Sequence, residues 1–121
     1  MFEAKGLLPE AVEAHDHMND ATSAGRGYGV AGGVASAIES CIREYYPDVE
    51  VHIEHAESLT ECKKMLMLAK AGKKNGCLIE GMACPGGCVA GAGTNIPIPQ
   101  AVKEVTSFKN AAEEKLPSRE D

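Results

Sequence analysis

The chain has 121 residues, a formal net charge of −6 and a pI near 5.2, a length that suits one domain burying roughly two-thirds of its unfolded surface. The acidic balance excludes a basic stripe able to neutralise nucleic-acid or anionic-lipid phosphates, and Lys63-Lys64 and Lys73-Lys74 read as solvated helix-end charges. No apolar run reaches the roughly 20 residues that span a bilayer, and the N-terminal segment lacks the apolar stretch of a signal peptide, so a cytoplasmic chain is expected, with no membrane and no nucleic-acid partner.

Residues 1–30 carry no sustained periodicity beyond a short helical turn at 9–17, and read as an extended arm. Gly32-Gly33 then opens a helix, because Val34, Ala37, Ile38, Cys41, Ile42 and Tyr45 recur at spacings of three and four, and Pro47 ends it. Residues 49–55 alternate, with Val51 and Ile53 against His52 and Glu54, the period of an edge strand. Ser58 and Glu61 stand where a hydroxyl and a carboxylate satisfy helix-start amides reciprocally, and a helix follows through Leu59, Cys62, Met65, Leu66 and Ala69. After the turn at 73–76, Cys77-Leu78-Ile79 suits a buried strand of a parallel sheet. Residues 97–112 form a last helix, with Ala101, Val105, Phe108 and Ala112 on one side, and 113–121 a charged tail. The expected fold is a single α/β unit over 1–121. A small parallel sheet with a right-handed strand-helix-strand crossover is flanked by helices. Tryptophan is absent, and only three tyrosines and two phenylalanines occur, so the core should rest on Val, Ile, Leu, Met, Ala and Cys.

The second strand delivers the chain into Met-Ala-Cys-Pro-Gly-Gly-Cys-Val-Ala-Gly-Ala-Gly-Thr, residues 82–94, a stretch without charge. Ligand sites of open α/β sheets lie beyond the carboxyl ends of strands, which favours function for this loop. Cys84 and Cys88 are close enough in sequence to face one metal centre. Gly86, Gly87, Gly91 and Gly93 let the backbone approach a bulky ligand, with amides left to hydrogen-bond it. Five cysteines, an odd number, argue for thiols or metal ligands over a disulfide framework.

Spacing alone leaves other readings open, the plainest being two ordinary thiols in a tight turn. Zinc sites usually add a second Cys or His pair to CxxC, and His52 and His55 fall on opposite faces of a strand. A thioredoxin-like pair expects CxxC opening a helix, and a phosphate-cradling loop expects a lysine that is absent here. His15 and His17, with Asp16 and Asp20, read as an exposed acidic loop and are assigned no site. Cys41, Cys62 and Cys77 fall on apolar faces and read as packing.

Taken together, MACPGGC with GAGT behind it, the approach LIEGMACPGG, and the upstream SAGRGYGVAGGVASAI at 23–38 resemble iron-only (FeFe) hydrogenases. The similarity runs from Phe2 to beyond Thr94, in the order found in the C-terminal part of the catalytic domain that this family carries on its large polypeptide. The resemblance implies a fold like one half of that domain, from a divergent subgroup, since GAGT stands where many members carry GGGQ. It implies that Cys84 binds an iron of a 4Fe-4S cluster and that Cys88 bridges this cluster to a two-iron subsite, the pair forming the H-cluster. Met82 would pack beside the two-iron unit, Gly86 and Gly87 would lie against the cluster, and Gly32 and Gly33 would sit near its cavity, with a tight entry to the helix as their alternative role.

The family's two earlier motifs, resembling TSCCP and MPCxxK, are absent from these 121 residues. The resemblance therefore implies the remainder of the catalytic domain as a partner, along with a ferredoxin-like electron donor. It also leaves room for a homo-oligomer formed through the face left exposed. Two readings stand: part of a hydrogenase that reduces protons to H2 reversibly, inactive as an isolated chain, or a small self-standing iron–sulfur or metal-binding module without catalysis.

Overall fold

The computed structural model describes residues 2–13 and 20–118. His15, Asp16 and His17, and the later part of the turn expected at 9–17, lie outside these. Two short 3-10 turns, Glu3–Lys5 and Pro9–Ala11, precede helices α1 (Ser23–Arg26) and α2 (Gly33–Tyr45). Strand β1 (His52–Glu57), helix α3 (Leu59–Lys70) and strand β2 (Cys77–Met82) follow. A 3-10 turn, Cys88–Ala90, and helix α4 (Ile98–Asn110) complete the order. β1 and β2 pair in parallel, with His52 opposite Cys77 and Glu57 opposite Met82, so the small parallel sheet with a helical crossover is the architecture found.

Each long helix is bounded as its residues dictate. α2 starts after Gly32, held at φ 79°, and stops at Tyr46 ahead of Pro47. At α3 the Ser58 hydroxyl accepts the Glu61 N–H at 3.3 Å, while the Glu61 carboxylate accepts the N–H of Glu57, one residue earlier than a reciprocal cap requires. The reason is that the Ser58 N–H is already used: it donates to the Met82 carbonyl at 2.8 Å and so extends the ladder past β1.

β1 lies later than the alternation at 49–55 predicts. Val49 is exposed, and the ladder continues through His55, Ala56 and Glu57. Pairing with β2 sets these limits, and the polar His55 and Glu57 belong to the strand because distant groups satisfy them. Laterally paired residues share a face. Ala56 and Gly81 turn toward α3, where a Cβ on Gly81 would sit 3.1 Å from Cys62 Sγ. His55 and Glu80 turn toward the start of α2.

Within the stretch expected as an arm, α1 packs against α2 and α4. Arg26 lies 4.3 Å over the Phe108 ring, and the Ser23 and Ala24 amides donate to the carbonyls of Glu114 and Lys115. The Tyr45 hydroxyl donates to the Pro117 carbonyl, so the charged C-terminal segment returns to α1 and α2.

The core differs from expectation. Among the described residues the buried apolar side chains are Ala35, Ala37, Ala56 and Ala101, and no large side chain is fully buried. β2, expected to be buried, has Cys77 to Glu80 only partly covered, as are Cys41 and Cys62. Two strands present two open edges, so helices over the faces leave larger side chains half wet; Leu59 and Leu66 on α3 are 74% and 66% exposed. Among the described residues no helix is long and apolar enough to cross a membrane.

Candidate metal-ligand loop

β2 ends at Met82, half-buried, and the chain turns through Cys84, Pro85, Gly86 and Gly87 into the 3-10 turn at Cys88–Ala90. Gly86 and Gly87 hold φ 93° and 88°, a region that costs an L-residue roughly 1–2 kcal/mol. Two such residues in succession reverse the backbone between the cysteines. The Gly87 N–H donates to the Cys84 carbonyl and the Gly91 N–H to that of Cys88, each at 3.0 Å. Cys84 is partly covered and Cys88 exposed, both as free thiols.

A second glycine-rich segment lies directly against this loop. The Ala31 N–H donates to the Gly86 carbonyl at 3.2 Å, and the Val89 N–H returns a bond to the Gly29 carbonyl at 3.0 Å. A Cβ on Gly87 would stand 2.5 Å from Ala31 N, so this approach excludes every residue but glycine. Gly33 is equally constrained, its absent Cβ falling 2.0 Å from the Gly27 carbonyl oxygen. Gly32 lies against the His55 ring, 3.6 Å from where its Cβ would be. The structure thus joins Gly86 and Gly87 to the 29–31 backbone, and sets Gly32 and Gly33 at the adjoining helix entry, where close packing accounts for both.

Of the loop glycine amides expected to be free, those of Gly86, Gly87 and Gly91 are already engaged. Besides the amides of Gly87 and Gly91, that of Gly86 is taken by a carboxylate, Glu57 Oε2, at 2.7 Å. A glycine turn that reverses within four residues closes on its own carbonyls, and a strand-end acid reaches the Gly86 amide. Sequence reasoning missed this acid, and it also missed Glu80, whose side chain is only 10% exposed. Glu80 Oε1 accepts the Val34 and Ala35 amides at 3.1 Å each, and its other oxygen meets His55 Nδ1 at 3.1 Å. The missed signal was a carboxylate inside the apolar run Cys-Leu-Ile-Glu-Gly-Met, since an acid in a covered strand needs donors.

Soft thiolates are the usual iron–sulfur ligands, and such a site takes three or four of them. Among the described residues no group of three or more Cys, His, Asp or Glu is placed to hold a metal ion. Cys84 and Cys88, on a glycine turn with one thiol open to solvent, fit as contributors to a cluster and not as its whole ligand set. Residues 1–92 match the family described as iron only hydrogenase large subunit, C-terminal domain. No curated protein matches the chain.

Proposed function

The chain belongs to the family formed by the C-terminal domain of the iron-only hydrogenase large subunit, and from that premise we propose that Cys84 and Cys88 supply two of the thiolate ligands of its iron–sulfur centre, the H-cluster. The whole enzyme would interconvert protons and H2 with electrons from a ferredoxin-like donor. One observation carries the reading: the two motif-bearing segments, far apart in sequence, are tied to each other by the Ala31–Gly86 and Val89–Gly29 bonds.

In this reading the bound cluster supplies the redox chemistry, and the chain supplies placement. Cys84 would be a thiolate ligand of the 4Fe-4S part and Cys88 a ligand serving both that part and the two-iron subsite, and Met82 would pack near that subsite. The turn at Gly86 and Gly87 keeps the two thiols on one short bend, and the 29–33 backbone, with Gly32 and Gly33 at its end, backs that bend. The other ligands come from the remainder of the catalytic domain, which is the partner these residues require. An oxidoreductase role belongs to that complete assembly, and the isolated chain turns over no H2.

The test is anaerobic iron and sulfide reconstitution of the chain, alone and with a segment carrying the two other cysteine motifs. Cluster loading is expected only in the combination. Cys84→Ser with Cys88→Ser should abolish the cluster's electron paramagnetic signal. Undiminished loading of that double variant would overturn the ligand assignment, and a stable stoichiometric cluster in the chain alone would favour the self-standing module.

A further inference from the structure

We propose that Glu57 is the positioning residue for the cysteine turn, setting the bend between Cys84 and Cys88 by holding the Gly86 amide from the end of the neighbouring strand. Pro85 has no N–H, so the Gly86 amide is the first donor after Cys84 itself. Glu57 Oε2 accepts it at 2.7 Å, a short, charge-assisted bond. The next peptide is held through its carbonyl, which accepts from Ala31 N at 3.2 Å. Both peptide units flanking Gly86 are therefore fixed from outside the loop, one by a side chain and one by backbone. Gly86 and Gly87, at φ 93° and 88°, are the residues of the bend with most freedom to lose.

An anchor works only if its own mount is rigid, and here an independent observation bears on that. Ser58, directly after Glu57, has φ 90° and ψ 151°, and among the described residues it is the non-glycine residue with positive φ. Such a backbone costs about 1–3 kcal/mol and persists only where surroundings over-determine it. They do so here: the Glu57 N–H donates to the Glu61 carboxylate at 2.9 Å, the Ser58 N–H to the Met82 carbonyl at 2.8 Å, and the Ser58 hydroxyl accepts from Glu61 N. The strained step is what carries the chain from β1 into α3 immediately after Glu57, with the Glu57 carboxylate engaged by the cysteine loop.

The proposal builds on the reading of Cys84 and Cys88 as cluster ligands, but its test needs no cluster. Amide exchange at Gly86 is followed by NMR in the full chain and in Glu57→Ala, Glu57→Asp and Glu57→Gln, with iodoacetamide labelling rates of Cys84 and Cys88 measured beside those of Cys41. Loss of a hydrogen bond to a charged acceptor should speed Gly86 exchange about tenfold or more in Glu57→Ala. Glu57→Asp, one methylene too short to keep the contact, should do the same and decides the matter if the alanine variant fails to fold. Glu57→Gln retains an acceptor oxygen and should stay within about threefold of the unmodified chain. The labelling ratio of Cys84 to Cys88 should shift in the alanine and aspartate variants while Cys41 is unchanged, which a general loss of stability would not produce. Unaltered Gly86 exchange in Glu57→Asp, or equal acceleration in all three variants, overturns the proposal. If instead the Glu57 results hold while Cys84→Ser with Cys88→Ser leaves cluster loading intact, the ligand reading fails and the positioning role stands.

Discussion

Glu80 and His55 meet across the two strands, Oε2 to Nδ1 at 3.1 Å, while the other Glu80 oxygen accepts two amides at the start of α2. One carboxylate thus joins β2, β1 and the helix that follows the glycine-rich turn. With the side chain 10% exposed, water cannot fully replace it once removed.

Glu80→Ala should therefore cost about 2–3 kcal/mol in urea unfolding, as two helix-start amides lose a charged acceptor. Glu80→Gln keeps one acceptor oxygen and should cost about half as much. Equal losses for the two variants would show that the charge, and not the acceptor geometry, carries the effect.

The glycines near the loop separate into those that fill no space and those that cannot be replaced. Gly33→Ala places a Cβ 2.0 Å from the Gly27 oxygen, and no side chain can rotate to relieve a backbone contact. A loss of about 3 kcal/mol or more is expected. Gly93→Ala meets nothing within 4 Å and should stay within about 0.5 kcal/mol of the parent. Thermal unfolding of the two variants measures the contrast, and a mild Gly33→Ala would mean that the turn at 27–33 can move away.

Sequence pattern makes α2, α3 and α4 legible because each carries apolar residues at helical spacing and has residues that start or stop it locally, Pro47 and Ser58 among them. The tight turn between Cys84 and Cys88 is legible because its two glycines are contiguous in the sequence. What is not legible depends on partners far along the chain. Glu57 lies past the predicted end of the strand at His55, yet it continues the strand and its carboxylate is satisfied by the distant Gly86 amide. The bonds between 29–31 and 86–89 leave no periodic trace either, since backbone atoms make them and only the glycines record the approach.

Ser58 allows a prediction whose sign is opposite for two small residues. Its hydroxyl caps α3 at 3.3 Å from Glu61 N, but its φ of 90° is costly for any side chain. Ser58→Gly removes the strain and, as glycine caps nearly as well, should stabilise by about 1 kcal/mol. Ser58→Ala keeps the strain and loses the cap, and should destabilise by about 1 kcal/mol. Urea midpoints moving in the same direction for both would contradict this assignment.

Thiol labelling distinguishes Cys88 from the other four cysteines. Cys88 is exposed, whereas Cys41, Cys62, Cys77 and Cys84 are partly covered, with Cys62 Sγ 3.6 Å from the Ala56 carbonyl. Peptide mapping after brief iodoacetamide treatment of the folded chain should find Cys88 modified first. Faster labelling of Cys62 or Cys77 would mean that α3 opens away from the sheet under native conditions.

The last helix lies beyond residues 1–92, the span that matches the hydrogenase family, yet it supports the glycine-rich turn. Arg26 makes the link: its guanidinium stacks over Phe108 at 4.3 Å, and its nitrogens donate to the carbonyls of Phe108 at 3.1 Å and Ala21 at 2.9 Å. A planar fork makes these contacts together, whereas an ammonium must choose among them. Arg26→Lys should cost about 1–2 kcal/mol, the bonds being partly exposed. Because α1 leads straight into residues 27–33, the same substitution should speed amide exchange at Ala31 and Val89, whose bonds join that turn to the cysteine loop. Removing 93–121 altogether should produce the same acceleration in stronger form. Unchanged exchange at both amides in Arg26→Lys would show that the two glycine segments hold each other without help from α4.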